Sequence, residues 1–317
     1  MTTPLALKNW FPILNWGKQY NRKILIADLI AAAVVTLMLI PQSLAYALLA
    51  GLPPEVGLYA SMAPLVLYAL MGTSRALAVG PAAVTSLMTA ASLGSLGLVQ
   101  DQYIQATLLL ALMSGAIMFL MGVARLGFLA NFLSHPVVSG FVSASGILIA
   151  ASQLKHILGI HLHGETLVQL VPQLVQQLSH FHFITSLIGF SVIFLLVIAR
   201  KWLKKSLMSL GLTKDIADIF VKAAPVVVLL LSILVSSLFE LSLQGVKVVG
   251  HVPAGMPSFT FPALTSTTAS WIHSLWIPAL LISLVGFVEL VSVGQSLAAK
   301  TRESIDPNAE LRALGLS

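Results

Sequence analysis

The sequence predicts an all-α polytopic membrane protein that crosses the bilayer about eight times. Three observations carry this. The 317 residues are 57% hydrophobic and only 9% charged, with mean hydropathy +0.95, which no soluble globular domain matches. The apolar residues fall into eight runs separated by polar links. The basic residues favour alternate links. With the N-terminus in the cytoplasm, 15 of the 17 Lys and Arg are cytoplasmic and only Lys155 and Lys247 lie outside, as the positive-inside rule requires. One span more or fewer would spoil that bias. The expectation is therefore a multi-pass protein of the plasma or inner membrane.

Residues 1–23 lack the compact basic-then-apolar layout of a cleaved signal peptide. Trp10, Trp16 and Tyr20 suit a segment lying at the interface. The first span runs from about Ile24 to Ala50 and is interrupted by Pro41, which removes a helical hydrogen bond at mid-membrane. Next to it stands Gln42, which offers donors and an acceptor without charge. That suits contact with an oxyanion, or a simple bond between helices. The second span covers about Val56 to Met71.

The third segment, Ala76 to Leu93, is the unusual one. It opens extended and small, then reads Gly80-Pro81 followed by apolar and hydroxyl residues. Proline suits the first turn of a helix, so a helix is expected from Pro81 to near Leu93. At about 1.5 Å per residue it spans roughly 20 Å, too short for a hydrocarbon core of about 30 Å. The charge bias nevertheless requires this segment to cross, half as helix and half as extended chain. Extended backbone at that depth must be shielded by protein or line a wet cavity. A half-helix aims free N–H groups and a positive dipole end into the membrane, the device that builds anion sites in transporters. The alternative is an ordinary helix with a proline near its start. Thr85 and Ser86 offer hydroxyls to such a site, or bond back to their own helix.

The remaining spans run about Tyr103 to Met121, Phe132 to Ser152, Phe183 to Ala199, Ala223 to Phe239 and Trp276 to Ala299. Between the sixth and seventh, Arg200–Lys222 reads as a basic amphipathic stretch resting on the anionic cytoplasmic leaflet. The outer link from Gly245 to Ser270 reads as irregular. His156, His161 and His163 near an outer helix end read as a solvated loop rather than a metal site.

Among the eleven acidic residues only Glu289 is expected to lie deep, about midway along the eighth span. Glu310 is assigned to a loop. A charged, unpaired carboxylate at that depth costs roughly 2.5–3.5 kcal/mol on insertion scales, so Glu289 should face a wet cavity or find a partner. Ser283, Gly286, Glu289, Ser292 and Ser296 recur at three- and four-residue spacing, one stripe of the helix. The stripe suits a proton-coupling or substrate-facing carboxylate, or a structural bond between helices.

Several classes are excluded. With no cysteine, disulfides and thiolate metal sites are out. The net charge of +6 sits between spans rather than on one surface, which argues against nucleic acid. No short repeat, Walker loop, GxSxG elbow or HExxH is present. No nucleophile is paired with a base in the spans. Neither an enzyme nor a cofactor is expected.

The run IPQSLAYALLAGLPPEVGLYASMAPLVLYALMGTSRALAVGPAAVTSLM (Ile40–Met88) closely resembles the sulfate permease (SulP) family of anion transporters. So do LGFLANFLSHPVVSGFVSASGILIAASQLKHILGI (Leu126–Ile160), LVGFVELVSVGQSLA (Leu284–Ala298) and the link DPNAELRALGL. The resemblance implies two inverted seven-helix repeats forming core and gate domains, with the substrate between the N-termini of two half-helices. It implies that Gly80, Pro81, Ala82 and Ala83 face the anion, joined by Gln42 and Glu289. The substrate would be sulfate, bicarbonate, a dicarboxylate or a halide, moved by exchange or with protons or sodium, in a homodimer. Set against that pattern, the chain holds the first repeat plus the first helix of the second. It lacks the second half-helix and the cytoplasmic STAS domain, and is expected to be a transporter fragment. The layout expected is an interfacial segment (1–23), an incomplete transmembrane domain (24–299) and a truncated cytoplasmic link (300–317). The functional expectation is ion-coupled secondary transport of small anions. The alternatives are a non-transporting fragment or assembly partner, and a nucleobase carrier of related fold.

Overall fold

The structure is a computed structural model; it describes residues 10–94, 96–132, 135–160, 167–248, 255, 266–301 and 305–317. Every segment expected from the sequence is helical there. The helices are α1 (Arg22–Leu49), α2 (Pro54–Met71), α3 (Ala83–Gly94), α4 (Gln100–Val123), α5 (His135–Leu158), α6 (Leu167–Gln177), α7 (Phe183–Ser209), α8 (Lys214–Leu238), α9 (Ser266–Thr301) and α10 (Pro307–Leu316). No strand occurs among the described residues. Five of these helices are long and apolar enough to cross a membrane: α1, α2, α4, α7 and α9.

The differences from the sequence reading have local causes. Pro41 does not interrupt the first span. It sits inside a continuous α1, where it leaves the Leu37 carbonyl without its helical donor. Two helices were not expected. Strongly amphipathic α6 buries Leu170 against Ile160, and α10 forms inside the link that was read as loop. Arg200–Lys222 is shared between two helices. The sixth span continues through a π turn at Ala199–Leu203, and α8 begins at Lys214, nine residues early. The Lys204–Asp218 ion pair joins the two helices. His161, His163 and most of the Gly245–Ser270 link lie outside the described residues.

The chain forms two compact units. One comprises residues 1–26, 39–145 and 252–317. Its centre is α4, which packs against α9 and α10. Leu109 and Leu110 of α4 meet Leu93 of α3 and Leu275, Ala279 and Ile282 of α9 in one apolar cluster. α1 and α2 touch where Gly57 lies under the Ser43 carbonyl, so close that a Cβ would stand 2.0 Å from its oxygen. Ser61 donates to the Gly57 carbonyl (2.8 Å) and shares a 2.6 Å bond with Ser43, so two buried hydroxyls are satisfied across the pair. At the same end Gly51 (φ +76°) abuts the Tyr103 hydroxyl, which donates to the Ala50 carbonyl (2.7 Å). The opposite end gathers Thr73, Gly127 and Asn308, three links that the charge bias assigns to one side.

The second unit comprises residues 27–38 and 146–251, with α7 packed on α8. Gly189 brings α7 onto Ile157 of α5, and Gly159 (φ +67°) sits against His182. His182 caps α7, its Nδ1 accepting from the Thr185 amide at 3.3 Å. Phe190 and Phe194 of α7 and Leu230 and Leu234 of α8 are exposed, the pattern of helices whose outer face is apolar on all sides.

Candidate functional site

The half-helix is real, and it begins two residues later than expected. Residues 77–82 are neither helix nor turn, and α3 starts at Ala83. The Ser86 amide donates to the Ala82 carbonyl (3.0 Å), which makes Ala82 the cap and leaves Pro81 just outside. The Thr85 hydroxyl donates to that same carbonyl (3.0 Å), securing the first turn there rather than at Pro81. Alanine has no side-chain acceptor, so Ala82 cannot cap the N–H groups of the first turn. They remain available to whatever enters from that end.

Three hydroxyls of α3, on Thr85, Thr89 and Ser92, bond back to carbonyls of their own segment. Thr85 gives its proton to Ala82 and Thr89 to the Thr85 carbonyl (2.8 Å), so of the two readings of Thr85 the back-bonded one is what forms. Pro81, Thr85, Ser86 and Thr89 nevertheless line one cavity of about 130 Å³, with Tyr46 and Ala47 of α1, Gly57 and Ala60 of α2 and Thr107 of α4. A single water needs about 10–15 Å³ on this measure, so there is room for several waters or one small ion. Pro64 withholds a helical donor from the Ala60 carbonyl, which adds a free acceptor to the wall's own backbone.

Of the other expected residues, Gly80 is half-buried, and a Cβ on it would stand 3.3 Å from Leu39 of α1. The lead-in therefore runs beside α1 one turn from Gln42. Gln42 is exposed and donates to the Tyr46 hydroxyl at 3.3 Å, which ties it to the cavity wall. Ala83 is buried and serves packing. Glu289 is half-buried midway along α9 and makes no hydrogen bond or ion pair among the described residues. The next residue, Leu290, joins the apolar cluster that also holds Leu77 and Val79. The lead-in to α3 thus passes Leu39 of α1 and shares an apolar cluster with Leu290 of α9, but Gln42, Gly80, Ala82, Ala83 and Glu289 do not line the 130 Å³ cavity.

The stripe around Glu289 divides. Buried Ser283 shares its hydroxyl between the Ala279 carbonyl of its own helix (2.6 Å) and the Ser114 carbonyl of α4 (2.9 Å), which makes a contact between helices. Ser292 and Ser296 bond back to α9. A Cβ on Gly286 would meet nothing within 4 Å among the described residues.

Sequence reasoning missed Glu310. It is 2% exposed, deeper than Glu289, and it lies on a helix, not a loop. Its carboxylate accepts from Tyr68 Oη (2.6 Å), Thr73 N (2.8 Å), Thr73 Oγ1 (2.5 Å) and Ser74 N (3.3 Å). The signal was present: Asp306 caps the helix by accepting from the Asn308 amide, and Pro307 occupies the first turn. That is a helix start written in the sequence.

Comparison with known proteins places this arrangement. The profile of the Sulfate permease family matches residues 25–317. A probable sulfate transporter of Mycobacterium tuberculosis is 33% identical over 316 residues, covering 99% of this chain and 53% of that protein. The chloroplastic sulfate transporter 4.1 of Arabidopsis thaliana is 34% identical over 320 residues, covering 99% and 45%. The chain thus spans about half the length of these relatives. Among solved structures, SLC26A9 superposes with a TM-score of 0.82 at 24% identity, covering 98% of this chain and 49% of that one. The transmembrane domain of the cyanobacterial bicarbonate transporter BicA gives 0.73 at 19%, covering 94% and 72%. These two likenesses establish the fold, that of a multi-pass membrane protein. With the family profile spanning nearly the whole sequence, the chain belongs to the sulfate permease family.

Proposed function

We propose that this chain carries the anion-binding half-site of a secondary transporter for sulfate or a similar small anion. The observation that supports this most is the uncapped start of α3, reached through non-helical backbone that passes Leu39 of α1 and shares an apolar cluster with Leu290 of α9. Uncapped N–H groups and the helix dipole favour an anion by about 0.3–1 kcal/mol, rising to about 2 when partly buried. Gly80, Pro81 and Ala82 form the approach, Gln42 supplies a neutral donor, and Thr85 lines the adjoining cavity. The relatives named as sulfate transporters favour an oxyanion as cargo.

In this reading Glu289 couples transport to protons. A half-buried carboxylate with no partner among the described residues can change charge, and a nearby anion would alter its proton affinity. Transport runs as ion-coupled symport or exchange, by rocking of a core against a gate. Residues 1–23 lie at the cytoplasmic interface, 24–299 form the membrane part and 300–317 link onward. The protein sits in the plasma or inner membrane with its N-terminus inside, as a homodimer.

Labelled sulfate uptake into proteoliposomes, with the protein expressed from its own gene, tests this. Saturable uptake driven by an inward proton gradient is expected, with competition by bicarbonate or dicarboxylates ranking the cargo. Glu289→Gln should abolish the response to the gradient while leaving membrane insertion intact. Unchanged pH dependence in that variant would remove the coupling role, and sodium-driven uptake would reassign the ion.

A further inference from the structure

We propose that Glu310 is a positioning residue that sets where the α3 half-helix begins. This deepens the anion-site reading above and rests on it. The carboxylate draws in both ends of one short path. Tyr68 lies in the last turn of α2, and Thr73 and Ser74 open the stretch that runs on to Gly80 and Ala82. The stretch has no secondary structure of its own, so its course depends on what holds it. Downstream, Leu77 and Val79 share one apolar cluster with Tyr68, Ala313, Leu314 and Leu290. Glu310 fixes the upstream end through three bonds to Thr73 and Ser74, and the Asp306 amide donates to the Thr73 hydroxyl at 3.4 Å.

The clamp is useful only if α10 itself cannot shift. Its seat is built from glycines. A Cβ on Gly315 would stand 2.4 Å from Phe119 N, one on Gly115 2.7 Å from the Gly315 carbonyl, and one on Gly122 2.7 Å from Arg312 Cγ. The Gly127 amide donates to Asn308 Oδ1 at 2.8 Å. Backbone therefore meets backbone along α4, and α10 transfers the position of α4 to the lead-in. A carboxylate suits this because it is acceptor-only and takes several donors at once. A glutamine keeps one acceptor oxygen and turns a donor towards groups that also donate.

The chain holds no cysteine, so a single Ala78→Cys substitution gives one site for a nitroxide label on an exposed residue of the lead-in. The label spectrum and sulfate uptake are read together in proteoliposomes, for the protein expressed from its gene. Glu310→Ala should mobilise the label and raise the KM for sulfate about tenfold, with kcat changed less. Glu310→Gln should fall between it and the parent. If Glu310→Ala does not insert, Thr73→Val and Tyr68→Phe, which remove single bonds, should move both readouts the same way by a smaller factor. A label spectrum identical to the parent overturns the proposal, and so does a mobile label with unchanged KM. If the parent carries no sulfate the transport reading fails instead, and the label alone decides whether the clamp exists.

Discussion

The middle of α9 and the first turns of α10 each hold one carboxylate away from solvent, and the two are kept in opposite ways. Glu310 is almost fully enclosed and receives four donors from the α2–α3 corner. Glu289 is half-buried and has no partner among the described residues. Burial alone would rank Glu310 as the more suspect residue. Hydrogen-bond accounting reverses the order, because a satisfied carboxylate is a structural part while an unsatisfied one is held at a cost. Depth shows where a charge is expensive, and the donors around it show whether the expense serves the fold or the function.

The largest expected effect breaks that comparison directly. Glu310→Ala leaves the Tyr68 and Thr73 hydroxyls and two amides without their acceptor and should cost about 3 kcal/mol. Glu289→Ala should not destabilise the protein, since it loses no partner among the described residues. Reversible unfolding in mixed micelles reads both, and equal losses would erase the distinction. Next comes Gly315→Ala. Its new methyl would press on the backbone of α4 at 2.4 Å, and overpacking of this kind costs roughly 1–3 kcal/mol. A neutral result would mean that α10 has room to move and cannot transmit position. The smallest effect sharpens the picture at the rim. Arg312 stands 5.0 Å over the exposed Trp10 ring, which also meets Phe119 at 6.3 Å. Trp10→Leu should cost only about 0.5–1 kcal/mol by the same assay, which would place the hold on α10 in its buried face.

Much of this was legible in the residues. The all-helical, multi-pass character follows from the apolar runs, and the half-helix from a run too short to cross. Both rest on properties that act along the chain. What escaped depends on contacts across it. The helix was expected at Pro81 because proline tolerates a first turn, but the Thr85 hydroxyl on the Ala82 carbonyl fixes the start at Ala83. Glu289 was legible because a charge inside an apolar run stands out. Glu310 was not, because its neighbours look like a link and its partners, Tyr68 and Thr73, lie more than 230 residues away. Gly286 stands on the same stripe as Glu289, yet close approaches among the described residues fall at other glycines, Gly57, Gly115, Gly122, Gly127 and Gly315 among them. Periodicity identifies a helix face without saying what stands opposite.

The glycine seat also has a consequence in time. Gly127 is synthesised 181 residues before Asn308, and Thr73 237 residues before Glu310. At about 5–20 residues per second, the α2–α3 corner waits roughly 10–50 s for the helix that completes it. During that wait its donors have only water to bond, and the lead-in to α3 is untethered at its upstream end. Ribosome-stalled chains that stop before Pro307 should exchange the Thr73 amide freely, and chains carried past Leu316 should protect it.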